Sequence, residues 1–229
     1  MPIYVSNRQI IVPGEVIAEG NYNIDGDFYI YQRKFFSKII GLVEVEGNNI
    51  KIIPLKGKYI PNIGDVVIGK VIDIGMTNWT IDINSPYQAI LQVTEVFSKP
   101  TSVSRSALSE ILNVGDLVVA KVIAFDFSRD PLLTIKEARL GKVTKGTLVE
   151  ITPTRVPRVI GKKGSMIKML KEILKVEIIV GKNGRILVIS DDPERSSLAV
   201  LAIKKIEREA HISGLTDRVR NFIMNKLRG

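Results

Sequence analysis

The sequence has 229 residues, 45% of them hydrophobic, and a formal net charge of +9 at pH 7. This length suits two or three compact domains with packed cores. The lack of cysteine excludes disulfides, thiol nucleophiles and cysteine-ligated zinc, and the single histidine, His211, excludes a histidine-based metal cluster. Carboxylate-bound magnesium is not excluded, but no cofactor is expected. No run approaches the roughly 20 apolar residues of a membrane span, and no secretion signal is recognisable, so we expect an intracellular protein away from membranes.

The charge is concentrated in the last third of the chain. Residues 1 to 63 carry 7 basic and 6 acidic side chains, and residues 64 to 141 carry 7 and 9. Residues 142 to 229 carry 19 and 9, a net charge of +10. This distribution favours a phosphate-binding surface, because neutralising phosphates releases condensed counterions. A solvated basic helix face is the alternative.

The first 60 residues predict a small all-β domain. Short apolar segments at 10–12, 28–31, 42–45 and 50–53 are separated by turn residues, which is typical of strands. A linker is predicted at 57–65. We therefore place the first domain at residues 1 to 60.

Residues 61 to 141 predict an OB-type, five-stranded β-barrel. Apolar or alternating segments at 66–74, 79–83, 89–91, 117–125 and 132–135 indicate strands, and 104–112 indicates a short helix. Trp79 and Tyr87 are candidate platforms for base stacking, a contact worth about 1 to 3 kcal/mol per base. Each of the two is equally compatible with a core position.

The third domain, residues 142 to 229, has a different pattern. A strand at 147–152 precedes a helical turn at 156–160 and a helix at 165–174, and strands at 176–180 and 185–190 follow. Asp191, three residues before Glu194, predicts the start of a helix that continues to about residue 211. A last amphipathic helix is predicted at 215–227. The order is β-α-α-β-β-α plus a C-terminal helix, which makes the whole chain a multidomain α+β protein.

A glycine bend between the first two helices of this domain is the strongest candidate for a binding site. Glycines leave room for a phosphate, and the following helix offers free N–H groups and the positive end of its dipole. Two lysines add charge at the same place, and neighbouring isoleucines would form an apolar floor for bases. The predicted RNA-binding residues here are Arg158, Ile160, Gly161, Lys162, Lys163, Gly164, Ser165 and Lys168.

A second Gly-x-x-Gly provides an internal comparison. Gly181 to Gly184 has the same spacing, but it lies between two predicted strands, and its Asn-Gly pair favours a tight hairpin. We interpret this copy as a turn.

These motifs carry a family resemblance. The helix-flanked Gly161-Lys162-Lys163-Gly164 resembles the loop of a type I KH domain, which clamps the backbone of about four nucleotides. Residues 69–75 and 132–136 resemble the S-one-type RNA-binding barrel. In this order, with Val12-Pro13-Gly14-Glu15 near the start and the Gly-x-Asn-Gly element at 181–184, the chain resembles the non-catalytic cap subunit of the RNA exosome, in its archaeal form.

The resemblance implies partners and a location. It implies that the protein binds single-stranded RNA, forms a trimeric cap with other copies of itself, and lies on a hexameric ring of RNase PH-like subunits in the cytoplasm. The N-terminal domain would anchor to the ring, and the barrel would lie near the pore.

An enzyme is not indicated. Gly161 to Ser165 has the wrong spacing for a nucleotide-binding phosphate loop, and no nucleophile with an activating base is recognisable. The alternatives are a free-standing RNA-binding factor in transcription or translation, and a structural ring clamp whose RNA contacts are incidental. A nuclease ranks last.

Overall fold

The computed structural model describes residues 2–55, 57–97, 105–212 and 214–228. The chain divides into two compact units, Met1–Gly57 and Lys58–Gly229. Within the described residues, no helix is long and apolar enough to cross a membrane.

The N-terminal unit is a small all-β domain, as predicted. One sheet has the order β1-β6-β7-β3 and the other the order β2-β5-β4. Fully buried side chains such as Ile11, Ile17, Val43 and Ile50 form its core. The strands are β1 (Ile10–Ile11), β2 (Val16–Glu19), β3 (Asn23–Asp25), β4 (Phe28–Tyr31), β5 (Lys34–Ser37), β6 (Gly41–Glu46) and β7 (Asn49–Pro54).

The second unit begins with the predicted five-stranded barrel. Its strands follow the order β12-β10-β9-β8-β11, and pairing of β11 with β12 closes the barrel, which confirms the OB-type expectation. A short β13 extends the sheet beside β11. The elements are β8 (Val66–Ile74), β9 (Asn78–Asp82), β10 (Gln88–Gln92), α1 (Arg105–Ile111), β11 (Leu117–Ala124), β12 (Leu132–Thr134) and β13 (Gly141–Lys142), with a 3-10 turn at Val93–Glu95.

Tyr59 attaches the linker to this barrel. Its ring is 6% exposed within the barrel core, and its hydroxyl donates a 2.8 Å hydrogen bond to Oδ2 of Asp65. Burial, together with this bond, raises the pKa of Tyr59 well above its usual value. The linker residues from Lys58 onward therefore belong to the second unit, and the first unit ends three residues before the boundary expected from the sequence.

The remainder of the second unit has the predicted β-α-α-β-β-α order with an added C-terminal helix. Its sheet has the order β14-β16-β15, and one face of this sheet packs on the helices. The elements are β14 (Thr147–Glu150), α2 (Val156–Ile160), α3 (Ser165–Leu174), β15 (Glu177–Val180), β16 (Arg185–Ile189), α4 (Pro193–Glu209) and α5 (Leu215–Arg228), with 3-10 turns at Pro153–Arg155 and Lys162–Gly164.

The predicted cap of α4 was wrong by one residue. Asp192 is the N-cap, and its Oδ1 accepts hydrogen bonds from the backbone N–H groups of Glu194 and Arg195 at 2.9 and 3.3 Å. Pro193 then occupies the first helical position, where its missing N–H costs nothing. Asp191 is exposed and pairs with Lys145 instead.

The other face of this sheet packs against the barrel. Leu187 of β16 lies in one buried cluster with Ile68 of β8 and Val119 of β11, all at most 3% exposed. The central strand β16 is consequently buried on both faces. The barrel and the last domain thus share a continuous apolar interface.

Asn183 provides the polar part of this interface. It is fully buried, and its Nδ2 donates to the backbone carbonyls of Ile68 and Ile83 at 2.8 and 2.9 Å. Its Oδ1 accepts from the Ile68 N–H at 3.3 Å, and Asn84 donates to its backbone carbonyl. The Gly181 to Gly184 segment is therefore a turn, as predicted, and this turn is inserted into the barrel surface.

Arg185 reinforces the same contact. Its side chain is 7% exposed and forms ion pairs with Asp82 of the barrel at 2.5 Å and Glu150 of the neighbouring strand at 2.9 Å. It also donates to the backbone carbonyl of Asp82 at 2.6 Å. A buried guanidinium that donates to several acceptors fixes the orientation of the last domain relative to the barrel, because each hydrogen bond needs a particular geometry.

We expect Asn183→Ala to destabilise the second unit by about 3 kcal/mol, because the Ile68 N–H and the Ile83 carbonyl lose their partner and the Ile68 carbonyl keeps only a 3.4 Å bond from Arg185. Urea denaturation followed by circular dichroism measures this loss. Lys182→Ala is the matched control, since that side chain is exposed and the substitution keeps the backbone N–H that donates to the Val66 carbonyl of the barrel. Equal stability of the two variants would contradict the assigned role of Asn183.

Candidate nucleic-acid interface

The bend between α2 and α3 is exposed and lies between two helices. α2 ends at Ile160, a single turn covers Lys162–Gly164, and α3 starts at Ser165. The turn is held internally, since the Gly164 N–H donates to the Gly161 carbonyl at 3.1 Å. The bend is therefore preformed and accessible.

Glycine is required at Gly161 for two reasons. Its φ of +76° is unfavourable for other residues, and an added Cβ would lie 2.7 Å from the backbone nitrogen of Met166. Gly164 also has a positive φ, +79°, but an added Cβ would meet only Ile167, at 4.0 Å. The absence of a side chain at Gly164 leaves open space over the bend, where a phosphate could approach.

The start of α3 is favourable for an anion. No side chain caps its first turn, and its N-cap is Gly164. The Ser165 N–H donates to the Lys162 carbonyl, and the positive end of the helix dipole lies beside the bend without a side-chain cap. Lys163 is in the left-handed region with a φ of +53°, and its side chain is exposed.

The predicted cationic residues gather around this bend. Arg158, Lys162, Lys163 and Lys168 are all exposed. Of these, Lys168 has an acidic neighbour at 3.9 Å, Glu172, in a pair that is itself solvent-exposed. Exposed pairs of this kind are weak, so the positive charge of the bend remains available to a ligand.

Apolar side chains line the same end of the domain. Ile160 and Ile167 are half-buried and pack against the core, and Ser165 is exposed at the start of α3. The structure thus brings together all eight residues predicted on and around the loop. The arrangement offers a positive edge next to an apolar floor, which matches the two parts of a single-stranded nucleotide.

Trp79 does not belong to this interface. It is 0% exposed in the barrel core, and its Nε1 donates to the Leu112 carbonyl at 2.9 Å. A ring without an accessible face cannot stack on a base, so the candidate role of Trp79 as a platform was wrong. The alternation on β9, which lies between β8 and β10 in the sheet, directs Trp79 into the barrel core.

Tyr87 lies in a different setting. Its ring is half-buried and packs edge-on against Phe125, with centroids 4.9 Å apart. Phe127 lies 4.7 Å from Phe125 and is 65% exposed. The barrel therefore carries a cluster of three aromatic rings at its surface, Tyr87, Phe125 and Phe127, which we call the aromatic cluster.

The loop that bears Phe127 is ordered by local hydrogen bonds. Asp126 accepts from the hydroxyl and the backbone N–H of Ser128 at 2.8 and 3.0 Å, and these bonds lower the pKa of Asp126. Phe127 has a φ of +66°, a conformation that this turn imposes. Phe125 and Phe127 were not predicted as site residues. The sequence signal for them was two alternating phenylalanines directly after an apolar strand, in a segment otherwise rich in polar residues.

Comparison with known proteins places these features in a family. Three family models match consecutive segments: the N-terminal domain of the exosome RNA-binding protein RRP4 at residues 8–56, the RRP4 S1 domain at 58–124, and a KH domain at 146–194. An exosome complex component Rrp4 from Thermofilum pendens is 56% identical, covering 99% of this chain and 97% of its own.

The chain belongs to the Rrp4 family of exosome components.

Further relatives agree. Rrp4 of Pyrococcus furiosus is 42% identical over 98% of this chain and 86% of its own length. A crystal structure assigned as an exosome complex RNA-binding protein is 45% identical and aligns with a TM-score of 0.71, covering 75% of this chain and 98% of that one. This membership confirms the family predicted from the motifs and the expectation of a non-catalytic RNA-binding component.

Proposed function

We propose that the chain is the RNA-binding cap subunit of an archaeal exosome. In this proposal it binds single-stranded RNA and guides it to the pore of a hexameric ring of RNase PH-like subunits for 3′-to-5′ degradation or processing. The observation that carries the proposal is the exposed, helix-flanked glycine bend with its cations, in a chain of the Rrp4 family. A cytoplasmic location follows from this role, since the RNA substrate is there.

The distribution of charge supports different binding partners for the KH domain and the N-terminal unit. Residues 142 to 229 have a net charge of +10, whereas residues 1 to 57 carry six basic and six acidic side chains. The charge-dependent part of RNA affinity therefore belongs to the KH domain. The neutral N-terminal unit is suited to a protein partner, which we propose is the ring, with three copies of the chain forming the cap.

The rigid joint between barrel and KH domain supports a two-site capture of RNA. The glycine bend and the aromatic cluster lie in one unit, and Asn183 and Arg185 fix the two domains against each other. Once one site holds a strand, the other meets it at a raised effective concentration. Two modest sites thereby hold a flexible strand without any bond chemistry.

We expect the double variant K162D/K163D to weaken binding of single-stranded RNA and to flatten its salt dependence. Removing two phosphate contacts reduces the log–log salt slope by about 1.4. Filter-binding titrations with a labelled oligonucleotide at several salt concentrations give both quantities. The control K38D/K58D makes the same charge change at exposed lysines outside the KH domain. Unchanged affinity and slope for K162D/K163D would remove the bend from RNA binding.

The aromatic cluster is tested by Phe127→Ala, with Trp79→Phe as the comparison. If Phe127 stacks on a base, its loss costs about 1 to 3 kcal/mol of RNA binding. Trp79→Phe removes a buried hydrogen bond, so it lowers stability by about 1 to 2 kcal/mol and leaves RNA affinity unchanged. Together, the two variants distinguish a base-stacking role of Phe127 at the surface from a structural role of Trp79 in the barrel core. Equal effects on affinity would contradict this assignment.

Assembly is tested by size-exclusion chromatography with light scattering, using the chain alone and mixed with purified RNase PH-like ring subunits. The proposal predicts a complex with three copies of the chain per hexameric ring, and tighter RNA binding than by the ring alone. A monomer that ignores the ring would favour a free-standing RNA-binding factor. Assembly without any gain in RNA affinity would favour a structural clamp.

A further inference from the structure

One edge of the N-terminal unit is unpaired. In the sheet β2-β5-β4, strand β4 pairs with β5 on one side. No strand of the described residues pairs with its other side. A strand edge of this kind presents backbone N–H and C=O groups to any chain that approaches.

The hairpin between β4 and β5 determines which backbone groups face outward. Gln32 and Arg33 form its two-residue turn, with φ values of +48° and +64° that are typical of a type I′ turn. Such a turn makes the flanking pair, Tyr31 and Lys34, a hydrogen-bonded pair. Hydrogen-bonded and non-bonded pairs then alternate along the ladder.

One further hydrogen bond fixes this alternation. Lys38 donates its backbone N–H to the Asp27 carbonyl at 3.1 Å, so the pair Asp27 and Lys38 is hydrogen-bonded, in phase with the turn. The backbone groups of residues 27, 29 and 31 therefore face β5. Those of Phe28 and Ile30 face away from it, toward the open edge.

The side chains of β4 also suit a partner. Ile30 and Tyr31 are each 60% exposed, and Tyr29 is 40% exposed while stacked on Phe36 with centroids 5.0 Å apart. The usual protections of an edge strand are missing from β4, since its sequence Phe28–Tyr31 has no lysine or proline and its register with β5 has no bulge. Exposed tyrosines are frequent at the centre of protein interfaces.

The chemistry of this edge identifies the class of occupant. The unit has no net charge to attract RNA, because its six basic side chains are balanced by six acidic ones. Two outward N–H groups and two outward C=O groups at strand spacing are complementary to the backbone of another extended chain. The occupant is therefore a strand of protein.

We propose that an extended segment of a ring subunit pairs with the open edge of β4 and becomes the fourth strand of the β2-β5-β4 sheet. Its backbone bonds to Phe28 and Ile30, and its apolar side chains cover Tyr29 and Tyr31. This inference rests on the proposed function, because it takes the ring as the partner of the N-terminal unit.

The decisive variant is Ile30→Pro. Proline at this position removes an outward N–H and leaves the bonds of β4 to β5 in place, and edge strands tolerate proline in that orientation. We expect affinity for the purified hexameric ring to fall on the order of tenfold, because a partner carbonyl loses its donor. Biolayer interferometry with the full-length chain measures it.

Two further variants complete the set. Ile30→Lys keeps the backbone donor and introduces a charge of the kind that protects natural edges, so it should also weaken ring binding. Val114→Lys is the control, since Val114 is 56% exposed in a barrel loop. Thermal unfolding, and amide exchange at residues 29 and 31, verify that each variant keeps its β4–β5 pairing.

Amide hydrogen exchange on the wild-type chain gives a second readout. The amides of residues 28 and 30 should exchange fast in the free chain and become protected in the ring complex, whereas those of 29 and 31 are protected in both. Ring binding without this new protection, and unaffected by Ile30→Pro, would overturn the inference and leave the proposed function standing.

Two other outcomes would overturn it differently. Protection of residues 28 and 30 that rises with protein concentration in the absence of the ring would show that a second copy of this chain occupies the edge. Failure of the wild-type chain to bind the ring at all would refute the inference and the ring-capping function together.

Discussion

In the second unit, the orientation of the KH domain on the barrel depends on one buried side-chain amide that must form hydrogen bonds. Asn183 is placed between two domains where water cannot reach, and the backbone groups of Ile68 and Ile83 can satisfy it only when the KH turn is fully seated on the barrel. A buried polar group without partners is costly, so partly docked arrangements are disfavoured. Burial of the apolar contact between the sheet and the barrel stabilises docking of the two domains. The hydrogen bonds of Asn183 restrict docking to one orientation.

The two Gly-x-x-Gly segments show how context determines the use of a motif. Between helices, Gly161 to Gly164 remains exposed and has cations on both sides. Between strands, Gly181 to Gly184 lies in the interface with the barrel, where an added Cβ on Gly181 would lie 3.0 Å from the backbone nitrogen of Ile68. The same glycine spacing therefore forms a candidate RNA-binding loop at Gly161 to Gly164 and a structural turn between domains at Gly181 to Gly184.

Much of the architecture was accessible from the sequence, because periodicity reports which face of an element is buried. The helical spacing of Met166, Met169 and Leu170 and the alternation on the barrel strands were sufficient for the fold, and the glycine bend was sufficient for the candidate loop. Which of two adjacent residues caps a helix depends on local backbone geometry, so Asp191 was chosen where Asp192 acts.

The aromatic residues were harder to assign, since burial of an aromatic ring depends on tertiary contacts. The alternation that contains Trp79 does not by itself show which face of the strand is buried, and the complete burial of the ring with its bond to the Leu112 carbonyl assigns it to the core. Phe127 lies on a turn held by Asp126 and Ser128, and its alternation with Phe125 does not show that the two rings meet Tyr87. The aromatic cluster joins a loop and a strand end that lie about forty residues apart, a proximity that closure of the barrel creates.

The burial of Trp79 also determines which part of this protein is reported by tryptophan fluorescence. As the sole tryptophan of the chain, it gives the emission spectrum a single origin inside the barrel. Its fluorescence should be blue-shifted in the folded protein, indifferent to ligands on the surface, and sensitive to the opening of the barrel alone. Unfolding of the barrel can thus be followed separately from events in the other domains, without an added label.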